Sequence, residues 1–503
     1  MITRLHLWHF FPKMIDIIFC NVPIVETKAP LSAPAILKSV VEAKGYTAKT
    51  VDFNLEFNDG PQQSSLNNFW KFGNGQKATI NLAHNYAERW AKQILKHQPT
   101  WVGISVFSYT CQIATEMLCI AIKSLNDNVK IVLGGNGMGN GGINGDFSWP
   151  QKLVELKTVD AYIRSEGEKS ILNLLEGNTE HPGINQNKDF EQIDDLNAFP
   201  HPSYNNYLLK QYPKNTLPIT GSRGCVRQCT FCDIHSHWKK FVFRTGQSIC
   251  NEMKELSAIH KIYHFDFTDS LINGSMKAYR DFIRALATHN KKHQPITWSG
   301  QFIARSSTQM TEEDWKMTSL AGGQDLAIGV ETGSDKVRND IKKKFTNKDL
   351  DFCVEMAHKY NIKIVFLMLV GYPTEREQDF EDTLNLFTKY QKYKHMIEPN
   401  LGTTCAILPR TPLYDFATQN NFTLGKTENE WWWDQNPNLT LKERFKRRIL
   451  LGQHCKSLGY NVNDKVELET MAFMWNNFKL NQYADKSKLT IDQSDNRNMQ
   501  YYS

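Results

Sequence analysis

The chain has 503 residues with 59 basic and 53 acidic side chains, a formal net charge of +6, and so small an excess does not by itself argue for a nucleic-acid partner. Its ten cysteines are scattered singly apart from one group, which excludes a secreted disulfide framework and points to a reducing, cytoplasmic setting. No stretch approaches the roughly 20 consecutive apolar residues that a membrane-spanning helix requires, and the length sets an expectation of about three domains.

The first residues, Met1 to Pro12, carry Arg4, His6 and His9 and lack both a long apolar core and a small-residue cleavage site, so no signal peptide is expected. From Ile15 to about Ser170, short apolar runs alternate with amphipathic stretches, the pattern of a doubly wound parallel sheet. Strands are expected at Ile15–Cys20, Ala48–Phe53, Trp101–Val106, Lys130–Leu133 and Ala161–Arg164, with helices at Ala33–Ala43, Ile80–Leu95, Ala114–Leu125 and Pro150–Leu156. Ligands of such sheets sit at the carboxyl ends of the strands, here Asn21–Pro23, Ser105–Tyr109, Gly134–Gly137 and Ser165–Glu168. Gly134-Gly-Asn-Gly137 follows its strand directly and would let the backbone come close to a flat or phosphate-bearing ligand; a plain strand-to-helix turn is the competing reading.

The acidic, proline-bearing segment Asp194–Pro202 is expected to join this domain to the next. Strand and helix alternate again from Leu217, with strands expected at Leu217–Thr220, Ile262–Thr268, Ile296–Gly300, Leu326–Val330, Ile364–Val370 and Gly402–Ile407. The domain expectation is therefore 1–195, 196–415 and a helical region with a polar tail at 416–503. Helices are expected there at Leu439–Leu458 and Val466–Leu480. Trp431-Trp-Trp433 is read as packing against the barrel in preference to stacking on a planar substrate. The basic runs Lys342-Lys-Lys344 and Lys442–Arg448 are read as solvated faces.

The most informative segment is Gly221-Ser-Arg-Gly-Cys-Val-Arg-Gln-Cys-Thr-Phe-Cys232, in which Cys225, Cys229 and Cys232 fall within eight residues. Thiolates so close on one loop can grip a single soft metal centre, and three ligands leave a coordination position for chemistry. A zinc site completed by His235 or His237 is the alternative, disfavoured because no second C-x2-C knuckle exists.

This C-x3-C-x2-C loop, with Phe231 before the last cysteine, resembles that of the radical S-adenosylmethionine (radical SAM) enzymes. The resemblance implies a [4Fe-4S] cluster held by Cys225, Cys229 and Cys232, with SAM chelated at the remaining iron, in a partial (β/α)6 TIM-type barrel. Later strand ends extend it: Phe265–Ser270, Gln301–Arg305, Gly329-Val-Glu-Thr-Gly-Ser334, which resembles the family's Gly-x-Glu-Ser-Gly, and Gly371-Tyr-Pro-Thr-Glu375, which resembles Gly-x-Pro-x-Glu. It implies a SAM site that includes Phe231, Asp269, Arg305, Glu331, Thr332, Gly371 and Pro373. Taken singly, Asp269 can be a helix cap, Arg305 a surface ion pair, Glu331 the neutraliser of a buried base and Gly371–Pro373 a turn.

The amino-terminal α/β region resembles the Rossmann-like cobalamin-binding domain that precedes many radical SAM cores, on Val102–Phe107, Val132–Gly135 and Asp160–Glu168. Ser105, Gly134, Gly135, Asn136 and Glu166 are the residues implied for cobalamin. The lower-ligand histidine of some such domains is missing from Cys20–Thr27, which leaves cobalamin open. The implied function is reductive SAM cleavage to a 5'-deoxyadenosyl radical that modifies an unreactive carbon of a small-molecule or biosynthetic-intermediate substrate, with methyl transfer if cobalamin binds and with a reductant such as flavodoxin or ferredoxin. Without cobalamin, cyclisation, rearrangement or sulfur insertion stands as the alternative, and a non-catalytic iron-sulfur or zinc protein ranks last. A methylthiotransferase is disfavoured because Cys20, Cys111 and Cys119 do not fall at three loop ends.

Overall fold

The computed structural model describes residues 14–25, 28–58, 63–73, 75–139, 146–164, 166–185, 192–402, 404–424, 432–433 and 439–462. The chain divides into two units, Met1–Pro218 and Ile219–Ser503.

The first unit is a five-stranded sheet of β1 (Ile15–Asn21), β2 (Ala48–Asp52), β3 (Pro99–Ser105), β4 (Lys130–Gly134) and β5 (Ala161–Ile163), in the order β2-β1-β3-β4-β5 with parallel pairing throughout. The order reverses once, between β1 and β3, as a doubly wound sheet requires. Alternation sets the two faces: Ile18, Cys20, Val102, Ile104, Ile131 and Leu133 pack into one apolar cluster. Ile17, Phe19, Trp101 and Val132 pack into the other. Strands buried on both faces read as continuous apolar runs, which is why their positions were legible within one or two residues.

The helices Ser32–Glu42, Lys77–Leu95, Gln112–Leu125 and Ser148–Glu155 correspond to the expected ones, with ends shifted by up to three residues. Two further helices, Phe53–Asn58 and Gln63–Phe72, precede the long one, and the ring of Trp90 stacks on Phe53 and Trp70. The segment after 195, expected with the barrel, packs on the first unit: Ser203 N donates to Ala35 O at 3.0 Å, and Lys38 Nζ donates to Ser203 Oγ at 2.9 Å.

A six-stranded sheet belongs to the second unit apart from Leu217 and Pro218, which open its first strand. Its strands are β6 (Leu217–Ile219), β9 (His264–Phe267), β10 (Thr297–Phe302), β11 (Gly323–Glu331), β12 (Ile364–Met368) and β13 (Ile397–Asn400), and the short pair β7 (Ser222–Arg223) and β8 (Val242–Phe243) lies between β6 and β9. The six strands neighbour one another in chain order, and β9 to β13 pair in parallel. Winding in one direction without reversal is the topology of a partial barrel, with functional groups at the carboxyl ends of strands. The sixth strand corrects the expectation: it is Ile397–Asn400, while among the described residues of Gly402–Ile407 the chain makes only an isolated bridge, Thr404 to Val370. Pro399 hid the true strand, and it is tolerated because β13 lies at the sheet edge.

Among the described residues the carboxy-terminal region contributes the helix Leu441–Ser457, whereas the helix expected at Val466–Leu480 and the tail lie outside the described residues. Trp432 is buried, stacks on Phe422 and donates Nε1–H to Cys405 O at 2.7 Å, so this tryptophan packs as expected. Trp431 lies outside the described residues. No helix is long and apolar enough to cross a membrane among the described residues.

Candidate functional site

The cysteine loop leaves β6 and is fastened at both ends. At its root, Gly221 N donates to Asp269 Oδ2 at 2.8 Å, Ser222 Oγ donates to Leu271 O at 3.0 Å, and Arg244 Nη1 donates to Thr220 O at 3.0 Å. The β7–β8 pair closes the next step, and there Gly224 is required: its φ is +85°, and a Cβ would lie 2.6 Å from Lys240 O. Further on, Thr230 N donates to Ile341 O at 3.0 Å, Leu413 N donates to Thr230 O at 2.9 Å, and Thr230 Oγ1 lies 2.8 Å from Tyr372 OH. Cys229 thereby sits in an apolar cluster with Val337, Ile341, Tyr372, Cys405 and Leu413.

All three loop cysteines are free. Burial pushes the Cys232 thiol up to about 11 and raises that of Cys229, with Lys343 opposing the latter. Two cations face these sulfurs. Arg227 is electrostatically coupled to Cys229 and Cys225, and its Nε is buried without a hydrogen-bond partner. Lys343 Nζ pairs with Glu331 Oε1 at 2.6 Å and lies 5.8 Å from the centre of the Phe231 ring. Burial works against its charge, but Glu331 and then Cys229 outweigh that and hold the ammonium above the ordinary lysine range.

Among the described residues no three His, Cys, Asp or Glu side chains are gathered as ligands of one ion. The donor set fits an anionic iron-sulfur group: soft thiols on one loop, a backbone N–H from Arg227 at 3.4 Å from Cys225 Sγ, and two cations, one with an unsatisfied donor. The histidines considered for zinc have other partners, since His235 Nε2 meets Arg227 O at 2.6 Å and His237 Nε2 meets Asp233 Oδ2 at 3.3 Å.

The remaining expected residues divide by what they touch. Glu331, in the left-handed region at φ +66°, neutralises a buried base, Lys343. Asp269 caps no helix; its carboxyl is 3% exposed and burial raises it to about 7. Arg305 makes no surface ion pair: its Nε and Nη2 donate to Asn273 O at 3.1 and 2.7 Å, and Nη2 also reaches Gly274 O. Burial, with Arg227 and Arg280 adding, lowers it to about 10. Thr332 Oγ1 is 3.1 Å from Thr383 Oγ1 and accepts from Ser334 N. Gly371, at φ +79°, donates N–H to Glu375 Oε2 at 3.2 Å, and a Cβ on it would lie 2.4 Å from Arg444 Cδ. Pro373 is buried and its carbonyl accepts from Arg376.

Sequence reasoning missed the buried cations. Lys343 and, from the second basic run, Arg444 and Arg447 are not solvated faces: Arg444 stacks 3.7 Å over the Trp432 ring, and Arg447 pairs with Glu375 at 2.8 Å. No local signal separates them from their exposed neighbours, because their partners lie on other elements, beyond the reach of helical or strand periodicity.

In the first unit, Ser105 and Gly134 face each other in register across β3 and β4. The glycines beyond them serve different ends. A Cβ on Gly135 would lie 2.5 Å from Val106 O and one on Gly137 2.3 Å from Ser108 C, so both are needed for loop-to-loop packing. A Cβ on Gly134 meets nothing within 4 Å. Asn136 is exposed beside it, as are Phe107 and Tyr109. Glu166 is turned away, its Oε2 accepting from Ile193 N, and Ser165 lies outside the described residues. Cys20, Cys111 and Cys119 are buried, with thiols raised by that burial.

Residues 219–387 match the Radical SAM superfamily. The chain is 25% identical over 358 residues to an uncharacterized methyltransferase of Pyrococcus horikoshii, covering 66% of this chain and 72% of that one. It spans about half the length of other curated relatives that it matches. Among solved structures, the radical S-adenosylmethionine methyltransferase TsrM of Kitasatospora setae, with cobalamin and a [4Fe-4S] cluster bound, aligns with a TM-score of 0.60 at 15% identity over 82% of this chain and 76% of that one. The cobalamin-dependent S-adenosylmethionine radical enzyme OxsB, with aqua-cobalamin and S-adenosylmethionine bound, aligns with a TM-score of 0.61 at 16% identity over 92% and 71%. At such identities the likeness establishes the fold of both units.

Proposed function

With a radical SAM domain at residues 219–387, we propose that this chain is an enzyme that holds a [4Fe-4S] cluster on Cys225, Cys229 and Cys232, binds SAM beside it and cobalamin on its first unit, and methylates an unreactive carbon of a small molecule. When bound, the cluster supplies the electron that breaks the sulfur to 5' carbon bond of SAM, giving methionine and the hydrogen-abstracting 5'-deoxyadenosyl radical, and cobalamin supplies a methyl group. The observation that carries the reading is three free thiols on one fastened loop, faced by Arg227 and Lys343 at the carboxyl end of the sheet.

The protein's part is positioning. Asp269 and Arg244 fix the root of the cysteine loop, and Thr230 with Tyr372 fixes its far side. Arg305 holds the backbone after β9, and Glu375 holds Gly371. Of the residues proposed for SAM, Glu331 acts electrostatically on Cys229 and Phe231 packs against the apolar cluster that holds it; Asp269, Arg305, Thr332, Gly371 and Pro373 are proposed to line the rest of the SAM site. In the first unit, Ser105, Gly134 and Asn136, with the exposed rings of Phe107 and Tyr109, offer an open face for a corrin, whereas Gly135 and Glu166 act through packing.

Anaerobic protein supplied with iron and sulfide, then with dithionite and SAM, is expected to yield 5'-deoxyadenosine, and Cys229→Ala to abolish it. Retained cleavage in that variant would remove the cluster assignment. The missing histidine in Cys20–Thr27 favours a second reading, the same radical chemistry without cobalamin, leading to cyclisation, rearrangement or sulfur insertion. Retention of hydroxocobalamin through gel filtration supports methyl transfer, and its loss supports the second reading. A low-potential donor such as flavodoxin or ferredoxin would deliver the electron.

A further inference from the structure

We infer that Lys343, held by Glu331 against the cysteine loop, compensates the negative charge of the iron-sulfur centre and raises its one-electron reduction potential. The inference rests on the cluster reading above and adds a residue that reading does not require.

The local backbone is built to turn this one side chain inward. Lys342 and Lys344 are exposed and both take left-handed conformations, at φ +64° and +58°, which residues with a Cβ adopt only at a cost. Lys343 between them has a side chain only 12% exposed. A glycine clears its path, since a Cβ on Gly329 would lie 2.5 Å from Lys343 Nζ and 2.7 Å from Glu331 Oε1. The segment is locked to the loop by the bond from Thr230 N to Ile341 O, and Phe231 lies beneath the ammonium. A strained turn, a cleared channel and a buried carboxylate thus all serve to hold one cation at the thiols.

A [4Fe-4S] centre on three thiolates carries a net charge of about −1 oxidised and −2 after one electron from a low-potential donor. A fixed cation nearby stabilises the second state more than the first, and a fixed carboxylate does the reverse. Lys343 is in this sense a positioning residue.

The test is an anaerobic redox titration followed by electron paramagnetic resonance on reconstituted full-length protein without SAM, with iron content measured. Lys343→Met is expected to weaken one-electron reduction at least tenfold, a 59 mV fall for one electron, and Lys343→Arg to restore it. Equal potentials in wild type and Lys343→Met at equal iron content would overturn the inference. If Lys343→Met takes up no iron, the arginine variant decides: recovered iron and potential support the charge role, and failure of both variants overturns it. Wild-type protein that binds no iron would sink the underlying reading itself.

Discussion

At the scale of single residues, Asp269 makes the clearest statement about pH. Its carboxyl is 3% exposed, and burial raises it from 3.8 to about 7, with hydrogen bonds from Ser222 and Gly221 opposing. A group whose folded value lies above its unfolded one keeps its proton in the folded chain while the unfolded chain ionises. Stability is therefore lost as pH rises from about 4 to about 7, by up to about 4 kcal/mol at 1.36 kcal/mol per unit. An asparagine at this position would still accept from Gly221 N but cannot ionise. Urea unfolding of cluster-free protein should show Asp269→Asn gaining on the wild type between pH 5 and pH 8, and parallel curves would refute the assignment. The sequence placed Asp269 at a strand end; that its partner is the backbone at the root of the cysteine loop, 48 residues earlier, depends on β9 lying beside β6 in the sheet and has no local signature.

At the scale of elements, the helix Leu441–Ser457 braces the loop after β12. Arg447 is 2% exposed and reaches Glu375 Oε1 and Glu377 Oε2, both at 2.8 Å, while Glu375 accepts from Gly371 N. Burial raises the Glu375 carboxyl despite Arg447. Removing the cation strands a buried carboxylate, so Arg447→Ala should cost about 3–5 kcal/mol. Glu375→Gln in the same chain should return part of that loss, measured as a double-mutant cycle by urea unfolding. Additive losses would show that the two residues do not act as a pair. This helix was legible from its apolar period, as were ten of the strands from theirs, because a period of burial is local. What the period cannot tell is whether a cation in a run such as Lys442–Arg448 meets water or a carboxylate some 70 residues away. β13 failed for a different reason. Four residues containing Pro399 are a poor strand by composition, and only the neighbouring β12 makes them one.

At the scale of the whole molecule, each unit has its own sheet and its own buried apolar clusters. Those of the first unit run from Ile17 to Ile184, and that around the cysteine loop from Cys229 to Leu439. No thiol of the proposed cluster belongs to the first unit, and no proposed corrin residue belongs to the second. Loading of the two cofactors should therefore be separable. Cys229→Ala is expected to lose iron and 5'-deoxyadenosine formation while retaining hydroxocobalamin at the wild-type ratio. Gly134→Trp should do the converse: a Cβ on Gly134 meets nothing within 4 Å, so the side chain starts into open space, and the variant is expected to keep its iron while the indole blocks the corrin face. The measurements are iron and corrinoid content after gel filtration, with 5'-deoxyadenosine yield as the activity readout. If Cys229→Ala also sheds cobalamin, or Gly134→Trp also sheds iron, the two sites are energetically coupled and the separable-loading expectation fails. If both variants behave as expected, cobalamin becomes a determinant of the fate of the substrate radical and not of the formation of the 5'-deoxyadenosyl radical, which is the division of labour that two independently cored units would support.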